Sequence, residues 1–263
     1  MPKLDIIVLL NRVPSTESPL EIADDGVSLK LEGVKKTLNP YDEFAVEEAL
    51  LIREKLGGSV LIVSLGEEKD AEGIQTALAM GADRGILILD PASKEYDSLK
   101  IARILARLLK TLTCDLIIAG QRSVDWDTGQ IGAAVAEFLG VPNIPMVIKQ
   151  DIADGSISCV KSVEGGTVTV KAPLPVLITA QRGLNEPRYA SLPGIMKAKR
   201  KPLEIKTPEE WGLDPDSLGE PLVKTLALKY PPERTGGIIV EGDSDEEKAE
   251  NLVRALHEKE RLF

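Results

Sequence analysis

Four polar side chains that are able to bind a ligand lie close together in the sequence within residues 120–131. Asp125 and Asp127 supply carboxylates, which accept hydrogen bonds from ribose hydroxyls or cap a helix. Ser123 and Thr128 supply hydroxyls, and the Thr128 hydroxyl is suited to donate to a phosphate. None of these groups has a neighbouring base that would make it a nucleophile. The chemistry that this stretch predicts is therefore ligand binding rather than covalent catalysis.

The elements on either side favour the same interpretation. Residues 115–119 form a short aliphatic run typical of a strand buried on both faces, and an alanine-rich helical pattern follows as far as Leu139. Asp127 or Thr128 is the predicted N-cap of that helix. Open α/β sheets bind ligands where a parallel strand ends and a helix begins, and the backbone N–H groups of residues 127–130 would face a phosphate. The alternative is an ordinary capped loop.

Strand and helix patterns alternate along the first part of the chain. The predicted strands are residues 6–10, 59–65, 84–89, 115–119, 143–149 and 176–180, and the predicted helices begin near residues 39, 70, 96 and 128. In the first of these helices Asn39 is the predicted N-cap and Pro40 the first helical residue. This alternation predicts an α/β fold, a doubly wound and mainly parallel sheet of the Rossmann-like nucleotide-binding type with helices on both faces. Turn residues at Gly26 and Gly165 predict two β-hairpins.

The composition changes beyond Gly183, where prolines and charged residues dominate and few apolar runs remain. Such a stretch cannot easily build a core of its own. We therefore predict an α/β nucleotide-binding domain over residues 1–183 and an extended C-terminal arm, residues 184–263, that contacts a partner. Ser244 opens a capping box, which predicts a final charged helix to about Arg261.

The overall composition argues against several classes of protein. Acidic residues outnumber basic ones by 42 to 32, which argues against a nucleic-acid partner. His257 is the single histidine, and Cys114 and Cys159 fit no metal-ligand spacing, so we expect no catalytic residue and no metal site. No apolar run reaches the ~20 residues that span a bilayer. We expect no transmembrane segment and a cytoplasmic location.

A second group of residues indicates contact with another protein. Leu192, Ile195 and Met196 are apolar residues in an otherwise polar segment, and cations follow within residues 197–201. A protruding apolar group ringed by charge is typical of a docking hot spot, and the cations, Lys201 among them, would attract an acidic partner. The alternative is a helix that packs back on its own domain with a solvated basic end.

Several long stretches resemble one protein family. Residues 185–201 read NEPRYASLPGIMKAKRK, and residues 39–49, 76–84 and 231–237 match further motifs in the family's order. On these stretches the sequence is identified as a member of the electron transfer flavoprotein beta subunit family. The resemblance implies a heterodimer with an electron transfer flavoprotein alpha subunit, in which FAD carries electrons between a flavin dehydrogenase of the acyl-CoA type and another redox carrier. The chain would be an electron carrier rather than a classical enzyme.

The resemblance also assigns roles to particular residues. The dehydrogenase would dock, with Leu192 as anchor, on Tyr189, Leu192, Pro193, Ile195, Met196 and Lys197. The nucleotide pocket would be formed by Leu9, Asn39, Pro40, Tyr41, Asp42, Leu65, Gly120, Gln121, Arg122, Ser123, Val124, Asp125, Trp126, Asp127, Thr128, Gly129, Gln130 and Ile131. Arg234, in a late Pro-Pro-x-Arg motif, would contact a flavin or a phosphate.

The family resemblance leaves two nucleotides open for this pocket. Classical beta subunits hold AMP there. The Asp-x-Asp-Thr-x-Gln-x-Gly spacing of residues 125–132 resembles the electron-bifurcating members, in which a second FAD replaces AMP and NADH drives the reduction of ferredoxin. Family members often carry lysine where this chain has Asn11, and Arg12 would be the substitute cation.

Two other classes of protein share the α/β pattern. One is a stand-alone adenine-nucleotide-binding regulatory protein, which would lack a long proline-rich arm. The other is an enzyme that hydrolyses or activates an adenine nucleotide. It would need a cluster of cations and a metal-binding acid beside the phosphates, whereas residues 120–132 offer only Arg122.

Overall fold

A computed structural model describes residues 3–213, 219–232, 236–258 and 261. The chain divides into two compact units, residues 1–226 and 227–263. The strands are β1 Leu4–Leu9, β2 Arg12–Pro14, β3 Glu21–Ile22, β4 Leu29–Lys30, β5 Lys36–Leu38, β6 Gly58–Gly66, β7 Arg84–Leu89, β8 Leu116–Gly120, β9 Asn143–Ala153, β10 Ser156–Val163, β11 Gly166–Pro173, β12 Val176–Ala180 and β13 Leu203–Lys206. The helices are α1 Pro40–Leu56, α2 Ala71–Met80, α3 Ser98–Leu109, α4 Ile131–Leu139, α5 Leu192–Ala198 and α6 Asp245–Glu258.

One nine-stranded sheet forms the centre of the first unit, in the order β11-β10-β9-β12-β8-β1-β6-β7-β13. The strands from β9 to β13 in this order pair in parallel, and β10 and β11 add an antiparallel edge beside β9. The predicted doubly wound, mainly parallel sheet is confirmed. Strand β1 pairs with β6 on one side and with β8 on the other, so the direction of winding reverses between β1 and β8. The crevice beyond the carboxyl ends of two such strands is where open α/β sheets bind ligands.

The side chains of β1 show how the sheet holds the helices on both faces. Ile6 and Val8 belong to one core cluster, which includes the buried faces of α1 and α2. Ile7 and Leu9 point to the opposite face and belong to a second cluster with α3 and α4. This alternation follows from the two-residue period of a strand. Both clusters are mainly aliphatic, so the predicted two-faced burial is confirmed.

The predicted strands and helices of residues 1–180 are present, with ends shifted by at most a few residues. The two predicted hairpins are β3–β4 and β10–β11, and Gly26 and Gly165 have the positive φ angles that tight turns require. No sequence pattern predicted β13, which pairs in parallel with β7. Residues 203–206 thus lie in the sheet instead of on another surface. The partner contact predicted for residues 184–263, with its boundary after residue 183, stays a prediction.

Asp97 joins the start of α3 to a later stretch of the chain. Its Oδ1 accepts a 2.8 Å hydrogen bond from the backbone N–H of Lys100, which caps the helix. Its Oδ2 accepts from the backbone N–H groups of Leu222 and Val223 at 2.6 and 3.2 Å. Because Asp97 is the N-cap, α3 begins at Ser98 and not at the predicted Tyr96.

The second unit contains α6. Ser244 Oγ accepts a 3.2 Å hydrogen bond from the backbone N–H of Glu247, as the capping box predicts. The helix is described as far as Glu258. Among the described residues of both units, no helix has the length and the apolar composition needed to cross a membrane.

Candidate functional site

The side chain of Asp42 joins the two strands that border the crevice. Its Oδ2 accepts a 2.7 Å hydrogen bond from the backbone N–H of Asn11, just beyond β1. Its Oδ1 accepts a 3.1 Å hydrogen bond from the backbone N–H of Gly120, the last residue of β8. Burial raises the pKa of the Asp42 carboxyl from 3.8 to about 7, although these N–H groups oppose the shift. The first turn of α1 therefore fixes the walls of the crevice.

Gly120 is required by this close approach. A Cβ atom on Gly120 would lie 2.2 Å from Asp42 Oδ1 and 2.9 Å from the backbone carbon of Tyr41. Both distances are far shorter than van der Waals contact, so any side chain here would separate α1 from the end of β8. Tyr41 and Asp42, at the start of α1, thus lie against Gly120, and their role in a nucleotide pocket stays a prediction, as does that of Pro40.

Asn39 fixes the loop that follows β8. It occupies the N-cap position of α1, as predicted, but its side chain makes no cap hydrogen bond. Its Nδ2 instead donates to the backbone oxygen of Arg122 at 2.9 Å, and its Oδ1 accepts from the backbone N–H of Val124 at 3.3 Å. Asn39 is almost fully buried, so these bonds also satisfy an amide that burial would otherwise penalise.

Hydrogen bonds within the loop give it a defined shape. Asp125 Oδ1 accepts from the Ser123 hydroxyl at 2.5 Å and from the backbone N–H of Trp126 at 2.8 Å. The backbone N–H of Ser123 donates to the backbone oxygen of Thr128 at 2.9 Å, which closes the loop on itself. Asn11 Nδ2 donates to Ser123 Oγ at 2.9 Å and ties the loop to the end of β1.

The prediction that Asp127 or Thr128 caps the next helix is wrong. Helix α4 begins at Ile131, and Gln130 occupies its N-cap position without a side-chain cap bond. Asp127 has a left-handed backbone, with φ of 53°, and its carboxylate pairs with Arg122 at 2.8 Å. Because the Asp127 carboxylate is engaged by Arg122, it does not cap the helix.

Because α4 begins at Ile131, the unpaired backbone N–H groups at its start also differ from those predicted. Ala134 N–H makes a hydrogen bond to the Gln130 oxygen, so the helical N–H groups that precede this bond are those of residues 131–133. The guanidinium of Arg122 lies 5.3 Å from the centre of the Tyr41 ring. Arg122 is thus held between Asp127 and Tyr41 at the mouth of the crevice.

Other predicted residues differ in what they offer a ligand. Leu9 and Leu65 lie at the carboxyl ends of β1 and β6, but the Leu9 side chain belongs to the core, so only its backbone borders the crevice. The Arg12 guanidinium donates to the Lys69 backbone oxygen at 2.7 Å and pairs with Glu72, which commits it to α2 and the turn before it. Arg234 lies outside the described residues.

Gln121 follows β8 directly and has a side-chain oxygen without a hydrogen-bond partner in the part of the chain that the structure describes. Its side-chain oxygen Oε1 is buried and accepts no hydrogen bond from the described residues. Buried polar atoms are rarely left without a partner, because desolvation without replacement costs about 1–3 kcal/mol. An adenine amine or a ribose hydroxyl would supply the missing donor. Trp126 is more than half exposed beside this crevice and offers a flat apolar face.

The predicted docking segment is exposed on one side and packed on the other. Tyr189 and Leu192 are 98% and 80% exposed, and the other predicted docking residues are exposed as well: Pro193, Ile195, Met196 and Lys197. Helix α5 rests on α2, where a Cβ on Gly194 would lie 2.4 Å from the backbone oxygen of Ala79. The segment therefore combines a fixed back with an exposed apolar front.

Lys201 does not belong to the exposed basic group. Its ammonium donates to the backbone oxygens of Leu78, Gly81 and Ala82 at 2.9, 3.2 and 2.5 Å. These carbonyls lie at the C-terminal end of α2, where a cation also interacts favourably with the helix dipole. The prediction that Lys201 attracts an acidic partner is wrong.

Buried glutamates of α1 hold the chain just before the docking residues, and the sequence patterns did not identify them. Asn185 Nδ2 donates to Glu48 Oε2 at 2.8 Å and to the Phe44 backbone oxygen at 3.0 Å. Arg188 pairs with Glu47 and Glu54 at 2.9 and 2.6 Å. Between α1 and this stretch runs a groove of about 450 Å³, lined among others by Tyr41, Phe44, Met80, Arg182, Pro187 and Tyr189.

The fold and site define an α/β protein with a doubly wound, mainly parallel sheet and a structured polar loop where the winding of the sheet reverses. The sequence model of the family described as electron transfer flavoprotein domain matches residues 27–211 of this chain. The chain is 37% identical over 261 residues to an electron transfer flavoprotein subunit beta of Bacillus subtilis, covering 99% of this chain and all of that one. It is likewise 37% identical over 265 residues to the human subunit beta, with both chains covered in full. The chain belongs to the electron transfer flavoprotein family, which confirms the resemblance.

Proposed function

We propose that the chain is the beta subunit of a heterodimeric electron transfer flavoprotein. In this proposal an alpha subunit is its permanent partner, and the pair carries FAD and moves electrons between a flavin dehydrogenase of the acyl-CoA type and another carrier. The support is similarity over the whole length to relatives named as beta subunits. These relatives favour a beta subunit over a stand-alone adenine-nucleotide-binding regulator. Cytoplasmic residence stays a prediction.

The crevice between β1 and β8 is the proposed nucleotide site, and the observation that carries it is the buried, unpaired Oε1 of Gln121. Asp42 and Asn39 hold the crevice and its loop in place without needing a ligand. Gln121 would accept from the adenine or ribose, and Thr128 would donate to a phosphate. The N–H groups of residues 131–133 would meet the phosphates in place of those of residues 127–130.

The residues of this chain bind and orient, since none of the described crevice residues is placed as a nucleophile. The flavin supplies the electron-transfer chemistry when it is bound. Arg122 places a positive charge at the crevice mouth, partly balanced by Asp127. Trp126 offers a face on which a ring would stack, and Arg234 remains a candidate for contact with a flavin or phosphate.

We further propose that the occupant is a second FAD, as in the electron-bifurcating members of the family, in which NADH drives ferredoxin reduction. The support is the Asp-x-Asp-Thr-x-Gln-x-Gly spacing of residues 125–132. AMP is the other candidate, because FAD contains the same adenosine monophosphate moiety, which the proposed site would hold.

Nucleotide content of the purified heterodimer tests both proposals. The chain is co-expressed with its cognate alpha subunit, and bound nucleotides are extracted and identified by mass. Two FAD per heterodimer supports bifurcation, and AMP with one FAD removes that reading while keeping the nucleotide site. Gln121→Leu should lower the nucleotide content, whereas Gln75→Leu, at an exposed glutamine of α2, should not. A heterodimer without any adenine nucleotide in this subunit contradicts the site.

The exposed front of α5 is the proposed docking surface for the dehydrogenase. Its support is the exposure of Leu192 and Met196 on a helix whose other side is fixed to α2, together with the exposure of Tyr189 just before that helix. Lys197 is exposed beside them and would favour encounter with an acidic surface.

A further inference from the structure

Arg188 is bound by its side chain and by its backbone to the same buried carboxylate. The guanidinium Nε lies 2.9 Å from Glu47 Oε2, and Nη2 lies 2.9 Å from Glu47 Oε1. The backbone N–H of Arg188 donates to Glu47 Oε2 at 3.0 Å. Glu54, about two turns further along α1, pairs with Nη1 at 2.6 Å. Side chain and main chain are therefore fixed at one point.

Burial of the Glu47 carboxylate makes its pairing selective for arginine. The Glu47 side chain is only 5% exposed, and a buried carboxylate is strongly penalised unless it is paired and hydrogen-bonded. The planar fork of arginine matches the two carboxylate oxygens, whereas the compact ammonium of lysine does not. The pairing also raises the pKa of Arg188 above its ordinary value, with hydrogen bonds to Glu54 and Glu47 as the main causes.

The residues next to this point are among the most exposed apolar residues described. Tyr189 follows at once and is 98% exposed, and Leu192 opens α5 a few residues later. A short exposed stretch of this kind loses conformational freedom when it docks, and each ordered side chain costs about 0.5–1.5 kcal/mol. A stretch that is already fixed at its start has less freedom to lose.

We propose that Arg188, through its pairing with Glu47, is a positioning residue that holds residues 189–198 in the conformation that docks the electron donor. The proposal rests on the docking function proposed above. Arg188 itself is only a third exposed and is turned toward α1, so it acts through the placement of Tyr189 and Leu192. The partner meets the apolar front of α5, and Glu47 stays inside the subunit.

Steady-state kinetics of the full heterodimer, with the reduced dehydrogenase as the varied substrate, test the proposal. Arg188→Met should raise KM about tenfold and leave kcat within about twofold, because docking loses preorganisation while electron transfer in the docked state is unchanged. The KM of Arg188→Lys should lie between the values of the wild type and of Arg188→Met. Lysine keeps the positive charge but lacks the planar guanidinium that binds both carboxylate oxygens. Lys171→Met, which removes an exposed cation from β11, should match the wild type.

A second measurement reports the position of the segment without the dehydrogenase. Chymotrypsin cleavage after Tyr189, mapped by mass, should be faster in Arg188→Met and in Glu47→Gln than in the wild type. If Leu192→Ala raises KM but Arg188→Met does not, the positioning role is overturned and docking stands. If Leu192→Ala also leaves KM unchanged, the docking function fails and this proposal fails with it. Unchanged cleavage in both Arg188→Met and Glu47→Gln overturns the positioning role as well.

Discussion

Asp42 accepts a 3.1 Å hydrogen bond from the backbone N–H of Gly120, although 78 residues separate them in the sequence. The other oxygen of the same carboxylate holds the N–H of Asn11. Two strand ends that would have unpaired N–H groups are thus joined by one side chain from the start of α1. The shape of the crevice depends on a residue that need not touch the ligand.

The first prediction concerns the pH dependence of stability that Asp42 causes. The folded chain holds the Asp42 proton up to about pH 7, whereas an ordinary aspartate loses it near 3.8. The folded state therefore binds this proton more tightly than the unfolded state, so the free energy of unfolding falls as pH rises through this window. At about 1.4 kcal/mol per pH unit, the contribution lost by pH 7 is at most about 4 kcal/mol.

Urea unfolding of the wild type and of Asp42→Asn between pH 4 and pH 8 isolates this contribution, since the other carboxylates are common to both proteins. The stability of the wild type relative to the variant should decline with rising pH and level off above pH 7. A difference that is flat across the range would show that Asp42 titrates normally.

The second prediction concerns Gly120. Gly120→Ala should lower the free energy of unfolding by about 3 kcal/mol, because its Cβ would overlap Asp42 Oδ1 and the Tyr41 backbone. Gly166→Ala is the matched control, since a Cβ there meets no atom within 4 Å and its φ is not positive. Urea unfolding of both variants measures the difference. Similar losses in the two would mean that the contact with Asp42 does not constrain the crevice.

Asn39 illustrates how far the sequence determined the site. The Asn-Pro pair predicted where α1 begins, and the helix does begin at Pro40. The side chain was expected to cap that helix, but it binds the backbone of Arg122, 83 residues away. Local patterns identify where a helix starts, because the starting residues are neighbours in the chain. They cannot show that a distant loop competes for the same amide group.

The error at Asp127 has the same origin. An acidic residue before an alanine-rich run is a good cap by spacing, but here it pairs with Arg122 and adopts a left-handed backbone.

The buried Glu47 was missed for a related reason. A glutamate in an amphipathic helix is commonly solvated, and its partner Arg188 lies 141 residues further on. The parallel sheet was predictable because its strands are continuous aliphatic runs.

The third prediction concerns Lys201. Lys201→Met should destabilise the chain by about 2 kcal/mol, because three carbonyls at the end of α2 lose a charged donor. Lys199→Met removes an exposed cation nearby and should change stability by no more than about 0.5 kcal/mol. Chemical denaturation of both variants gives the comparison. Equal effects would indicate that Lys201 is not bound to the helix end in solution.

The fourth prediction concerns Leu192. Because its side chain is largely exposed, Leu192→Ala should leave stability within about 0.5 kcal/mol of the wild type and bound nucleotide unchanged. Electron delivery from the dehydrogenase should slow about tenfold or more if Leu192 is the docking anchor. Stopped-flow reduction of the heterodimer measures the rate. Val168→Ala, at a partly exposed position on β11, should behave like the wild type, and an equally fast Leu192→Ala would contradict the anchor role.

The two oxygens of Asp97 serve different segments, one the first turn of α3 and the other the backbone at Leu222 and Val223. Since separate atoms make these bonds, loss of the bonds to Leu222 and Val223 would leave the capping bond to Lys100 intact. The start of the helix thus does not depend on the later segment for its cap.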